Sequence, residues 1–222
     1  MSSDIKMETD RLILRRWRDA DREPFAWMNC DPAVMEYFAA LMTREESDAL
    51  LDRIEAHFAA HGFGVWAAEL KATGEFIGFV GLWTPTFQAH FTPCVEIGWR
   101  LAAAHWGSGF ATEGARAAVE FAFGELGLKE LVSFTSVGNV RSRRVMEKIG
   151  MTHDAADDFD HPALPEGHWL RRHVLYRKAG NREQGTGNRE QGTGNREQGT
   201  GTSQQSSATG YSPLATGCSI PP

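Results

Sequence analysis

The segment VEIGWRLAAAHWGSGFATEGAR, residues 95–116, constrains the fold of this chain more than any other. Its first part alternates, placing Val95, Ile97, Trp99 and Leu101 on one face of a strand and Glu96, Gly98 and Arg100 on the other. Gly107 and Gly109 then break any regular element. Beyond them Ala115, Ala118, Val119, Ala122, Phe123 and Leu126 recur at helical spacing. A strand that turns through glycines straight into a helix presents amides without intrahelical partners at the positive end of the helix dipole. Residues without a Cβ let an anion approach that backbone closely. The segment predicts a phosphate or pyrophosphate site gripped by main-chain N–H groups.

Two common phosphate loops do not fit. The loop lacks the Lys followed by Ser or Thr of a P-loop. Gly107, Gly109 and Gly114 are spaced two and then five, not as G-x-G-x-x-G, and at least three strand-like runs precede them where a dinucleotide fold would open on βαβ. Residues 106–111, WGSGFA, resemble instead the Q/R-x-x-G-x-G/A loop of the GCN5-related N-acetyltransferases (GNAT). In that family the loop cradles the pyrophosphate of acetyl-coenzyme A. Trp106 replaces the usual Gln or Arg, and the form W-G-x-G-φ-A-T-E is similar to that of the RimJ/RimL branch. A second segment, NVRSRRVMEKIGM at 139–151, resembles the family's N-x-x-S-x-x-φ-x-E-K-x-G-φ. Physically it reads as a short helix, capped by Asn139 and closed by Gly150 in the left-handed conformation. Ser142, Val145, Met146 and Ile149 share one face of it. A serine on an apolar face needs a partner once buried, either a bound pantetheine or thiol or a neighbouring carbonyl. ETDRLILRRW at 8–17 looks like the family's opening strand. The resemblance covers residues 7–178.

The remaining pattern predicts an α/β fold. Residues 11–17 read as a strand and 20–28 as a short helix. Thr43 to Glu46 form a capping box, with Leu50, Ile54 and Phe58 following at helical spacing until Gly62 and Gly64. Strands at 65–70 and 75–83 flank a turn at 72–74, and further strands fall at 131–137 and 173–177. The expectation is one GNAT-like domain with a central mixed, mostly antiparallel sheet flanked by helices. The resemblance implies that the parallel central strands 95–101 and 131–137 splay apart and hold the pantetheine arm between them. From Gly180 the heptad GNREQGT occurs three times with no apolar position, which excludes a coiled-coil seam. That composition cannot bury enough surface to order itself. The expected organisation is therefore an N-acetyltransferase domain over 1–178 and a disordered tail over 179–222.

A net charge of −6 gives no electrostatic case for nucleic acid. No uninterrupted apolar run is long enough to span a bilayer and the first residues do not read as basic-then-apolar like a signal peptide, and with three scattered cysteines a reducing cytoplasm is the expected setting. Cys30, Cys94 and Cys218 fit no metal-site spacing, so no metal is expected.

The resemblance implies acetyl-CoA as cosubstrate, held by Trp106, Gly107, Ser108, Gly109, Phe110, Ala111, Thr112 and Asn139, and by Trp99, Arg100 and Leu101 on the strand beside the thioester. Backbone N–H groups of that strand can polarise the carbonyl. An amine acceptor must lose a proton, and Glu96 is the candidate general base; an ion pair with Arg100 is the alternative for it. Many members of the family place a tyrosine as general acid where this chain has Met146, which leaves Ser142 to hydrogen-bond the departing thiolate. His105 is expected to orient the loop, and His168 is a lesser candidate for the acceptor cleft. Segments 31–43, 84–93 and 159–169 are expected to wall that cleft. Trp83, Phe87, Phe91, Phe159 and Trp169 supply aromatic surface, and His90, Asp158, Asp160, His161, Glu166 and His168 polar groups. The leading function is acetyl transfer to a primary amine, whether a protein N-terminus, an amino acid or a small amine. The alternative is a CoA-binding sensor or interaction module with impaired catalysis. Expected partners are that acceptor alone, with neither nucleic acid nor membrane, and a monomer or homodimer.

Overall fold

The computed structural model describes residues 6–180. The repeat-bearing tail lies outside them, except that the last strand runs on to Ala179. The strands are β1 (Met7–Glu8), β2 (Leu12–Arg15), β3 (Val65–Leu70), β4 (Phe76–Trp83), β5 (Glu96–Leu101), β6 (Glu130–Ser136), β7 (Thr152–His153), β8 (Phe159–Asp160) and β9 (Arg172–Ala179). The helices are α1 (Arg22–Cys30), α2 (Arg44–His61), α3 (Phe110–Gly124) and α4 (Val140–Lys148). One sheet runs in the order β1-β2-β3-β4-β5-β6-β9-β7, with β8 on β9. Every pair is antiparallel except β5 with β6. The expected mixed, mostly antiparallel sheet is the one observed.

Local chemistry explains most boundaries. The capping box forms as expected: Thr43 Oγ1 accepts from the Glu46 N–H, and the Glu46 carboxylate accepts from the Thr43 N–H at 2.8 Å. The buried residues of α2 are Ser47, Leu51, Ile54, His57 and Phe58, and Leu50 packs partly buried against the same core. Helix α1 starts later than the expected residue 20. Asp21 is committed to Arg15 at 2.7 Å and to the Arg18 N–H at 2.8 Å, which holds residues 19–21 in a single tight turn.

Trp17, Phe25, Phe76 and Phe79 cluster on the sheet face under α1. Helix α3 covers the opposite face, where Gly114 sits against Val80. Phe79 pairs with Arg100 and Val80 with Trp99. Cross-strand partners share a face. Arg100 therefore lies on the α1 side and Trp99 on the α3 side. Among the described residues no helix is long and apolar enough to cross a membrane.

Candidate active site

The parallel pair opens almost where it begins. Only Glu96 registers with Val132, where the Val132 N–H bonds the Val95 carbonyl at 3.0 Å. Ladder hydrogen bonds alternate sides along a strand. The Ala102 N–H bonds Ile77 on the β4 side, so the N–H groups of Trp99 and Leu101 face the opening, past the last paired register. A cavity of about 980 Å³ fills this opening. It reaches from Val34, Met35 and Phe38, between α1 and α2, past β5 and the glycine loop to α4 and β9.

The glycine loop is built as a backbone cradle. Gly107 and Gly109 have φ of 76° and 85°, which L side chains disfavour, and Gly109 N-caps α3 with no side chain covering the first amides. Trp106 donates its indole N–H to the Leu101 carbonyl at 2.8 Å, bracing the loop on the end of β5. Arg11 fastens it from the opening strand, donating to the Ser108 carbonyl at 3.0 Å, pairing with Glu113 at 2.6 Å and lying over the Phe110 ring at 4.5 Å. Gly107, Gly109, Phe110, Ala111 and Thr112 line the cavity together with Trp106, Trp99 and Leu101; Ser108 does not. The loop is not the only anion feature. Arg141, Arg144 and Lys148 of α4 also line the cavity, which the expectation of a purely main-chain grip left out.

Helix α4 carries its motif as expected at the cap. The Asn139 side chain accepts from the Ser142 N–H at 3.2 Å and donates to Thr135 Oγ1 at 3.0 Å, tying α4 to β6. Ser142 and Val145 face the cavity, whereas Met146 is 1% exposed and belongs to the core. Gly150 closes the helix at φ 77°.

Glu96 is half-buried and has neither a hydrogen-bond nor an ion-pair partner among the described residues. Its Oε1 leans along the strand to 3.9 Å from where a Cβ on Gly98 would stand. Desolvation pushes its carboxyl up to about 8. It is not paired with Arg100, whose guanidinium turns to α1, donating to Asn29 Oδ1 at 2.6 Å under the Phe38 ring at 4.0 Å. The guanidinium thus lies on the α1 face of the sheet, while α3 covers the other, and Arg100 still lines the cavity that the glycine loop borders.

The expected aromatic wall is also corrected. Phe87, Phe91 and Phe159 pack with Phe134, Val132 and Leu175 into a small core of their own. Trp83 stacks on His57 at 4.2 Å, and Trp169 stands 66% exposed. Of the polar groups, His90 pairs with Asp157, Asp158 with His153, and Asp160 with Arg171 and Arg172. Glu166 is exposed, and His168 is turned to the Leu170 N–H. Only His161 of that group lines the cavity, beside His173, with ring centroids 5.0 Å apart. Burial and the neighbouring His173 hold His161 down to about 4, and burial lowers His173 too. His105 lines the cavity near the loop, 3.2 Å from Glu75.

The raised Glu96 carboxyl makes a stability prediction independent of any reaction. The folded chain holds this proton more tightly than the unfolded chain. That stabilisation is complete below about pH 4.5 and is lost as pH rises through about 8. Glu96→Gln should therefore melt above the wild type at pH 9 and level with it at pH 5. Because the open cavity solvates part of the carboxyl, we expect a gain of about 1–3 kcal/mol rather than the full shift. Equal differences in Tm at the two pH values would count against the burial of this charge.

The acetyltransferase (GNAT) domain profile matches residues 11–152, and the chain belongs to the GNAT acetyltransferases. It is 36% identical over 152 residues to the uncharacterized protein YkkB of Bacillus subtilis, covering 68% of this chain and 87% of that one. It is 34% identical over 154 residues to FsC-acetyl coenzyme A-N(2)-transacetylase of Aspergillus fumigatus, 66% of this chain and 65% of that one. In fold it is similar to Mycobacterium smegmatis RimJ, solved in complex with CoA-disulfide. That likeness has a TM-score of 0.64 at 19% identity and covers 80% and 88% of the two chains. The resemblance noted in residues 106–112 and 139–151 thus extends to the whole described fold.

Proposed function

We propose that this chain is an acetyl-CoA-dependent N-acetyltransferase acting on a primary amine, with Glu96 as general base. The observation that carries the reading is the unpartnered Glu96 carboxyl in the same opened strand gap as the glycine loop. The loop suits a pyrophosphate, since its glycines are left-handed and no side chain caps the first amides of α3. Arg144 and Lys148 add positive charge for the cofactor's phosphates, beside Arg141, which is ion-paired with Glu36.

Acetyl-CoA supplies an activated thioester. The amine nitrogen attacks the carbonyl carbon, a C–N bond forms and the C–S bond breaks. Glu96 takes the proton shed by the nitrogen, directly or through a water. The Trp99 and Leu101 N–H groups stabilise the developing oxyanion. Ser142 Oγ hydrogen-bonds the leaving thiolate; a serine hydroxyl is too weak an acid to do more. Asn139 offers its remaining amide donor to the pantetheine while it caps α4. A carboxyl titrating near 8 is matched to taking a proton from an amine at physiological pH.

The test is a calorimetric titration of acetyl-CoA into the full chain, with ATP and NAD as controls and Gly109→Ala alongside. Selective binding by the wild type is expected. The variant should bind about 10–100-fold more weakly, since a left-handed alanine is strained by about 1–2 kcal/mol and the loop relaxes away from its cradle. Absence of acetyl-CoA binding to the wild type would remove the enzyme reading. Unchanged affinity in the variant would move the pyrophosphate off this loop.

A further inference from the structure

Arg100 is an arginine set out of water with no anion beside it. It is 9% exposed, yet no carboxylate among the described residues lies within ion-pair distance. Its contacts are the Asn29 carboxamide at 2.6 Å and the faces of Phe38 and Phe79 at 4.0 and 5.4 Å, and its Nε has no partner at all. Removing a cation from water costs several kcal/mol unless an opposite charge compensates it. A merely structural role would be met better by an apolar residue.

The surroundings are built to aim this group. Asn29 and Ser47 are both fully buried, and Asn29 donates to Ser47 Oγ at 2.9 Å, which leaves its oxygen turned to the guanidinium. Arg100 lines the cavity together with Glu96 and Gly98. The three share one face of β5, so Gly98 forms a bare floor between a carboxyl and a cation whose Cα atoms stand about 13 Å apart. The Glu96 carboxyl leans over that floor. Glycine at position 98 keeps the space above it open.

Resting on the acetyl transfer proposed above, we propose that the acceptor is an amine that also carries a carboxylate, of the amino-acid class. Its carboxylate docks on the Arg100 guanidinium while its amine reaches Glu96 across Gly98. A planar guanidinium fork matches a carboxylate. One buried cation with a neutral amide beside it balances a single negative charge, not the two of a phosphate.

The experiment uses the full chain saturated with CoA for binding, and with acetyl-CoA for turnover. Lysine, ornithine and phenylalanine are each compared with the amine left when the carboxylate is removed (cadaverine, putrescine, phenethylamine). Phosphoethanolamine serves as the dianion control. We expect the carboxylated members to bind and react better, and Arg100→Met to lower their kcat/KM by about 30-fold or more. The decarboxylated amines should change little, so the preference collapses in the variant. Arg100→Lys keeps the charge without the fork and should retain part of the preference. Retained acetyl-CoA binding and Tm in both variants show that they fold. Equal handling of the paired acceptors by the wild type overturns the proposal, as does a preference that survives Arg100→Met or a stronger response to phosphoethanolamine. A uniform loss of acetyl-CoA affinity in Arg100→Met overturns it as well, by returning Arg100 to the cofactor. Failure of the wild type to bind acetyl-CoA is a separate result, and falls on the acetyltransferase reading instead.

Discussion

Glu96→Gln should lower kcat by about 10²–10⁴ while acetyl-CoA binds as tightly as before; this is the range that a positioned general base contributes. The change is nearly isosteric and removes only the ability to take a proton. Because Glu96 faces the strand gap without a partner, the substitution breaks no ion pair. The pH profile separates this role from a structural one. With a carboxyl at about 8, the base should add to wild-type kcat/KM a limb that rises with pH through that value, on top of the ionisation of the acceptor amine. The variant should lose that limb and follow only the ionisation of the acceptor amine. Steady-state rates from pH 6 to 10, with Tm measured at each pH, provide the check. A variant that keeps both the rate and the limb would take Glu96 out of the mechanism. The base would then have to be sought elsewhere in the cavity, and His161, held down to about 4, is a poor proton acceptor from an amine.

What was legible in the sequence was local. The glycine loop and the α4 segment each hold their chemistry within a dozen or so residues, so spacing alone reports it. The alternation that put Glu96 and Arg100 on one face is equally local, and β5 has that arrangement. What escaped depends on long-range contacts. Arg11 grips Ser108 from 97 positions away, and Asn29 holds Arg100 from 71 positions away, so neither is announced by any motif. His173 is the second residue of β9, a strand whose pattern reports only pairing, yet the fold brings it beside His161. The aromatic residues of segments 84–93 and 159 mislead for the opposite reason. Hydrophobicity says that such rings are covered, and here they cover one another rather than a ligand. The two-residue strands β7 and β8 are too short to leave a period in sequence; the neighbouring β9 defines them.

Gly78→Ala should cost about 3 kcal/mol or more, and it strikes the site through the fold. Gly78 lies in β4 with φ 133°, a conformation that side chains rarely adopt. An added Cβ would stand 2.2 Å from the Arg100 carbonyl and 2.7 Å from the Leu101 Cα. Both neighbours are backbone of β5, so no side chain can rotate out of the way. The strand must move or the pair must part, and overpacking of this kind usually costs 1–3 kcal/mol before the backbone strain is added. The β4–β5 pair also fixes where β5 lies relative to the gap in which Trp99 and Leu101 offer their N–H groups. A domain of this size loses about 2–4 °C of Tm per kcal/mol, so a fall of roughly 6–12 °C is expected by calorimetry. Turnover at a temperature where the variant is still folded should also drop, because β5 is displaced at the residues that face the substrate. Gly124→Ala is the matched control: its Cβ meets nothing within 4 Å, it sits at the end of α3, and it should leave both readings near wild type. A Gly78→Ala protein as stable and as active as the wild type would mean that β4 and β5 are not held together as closely as their register requires.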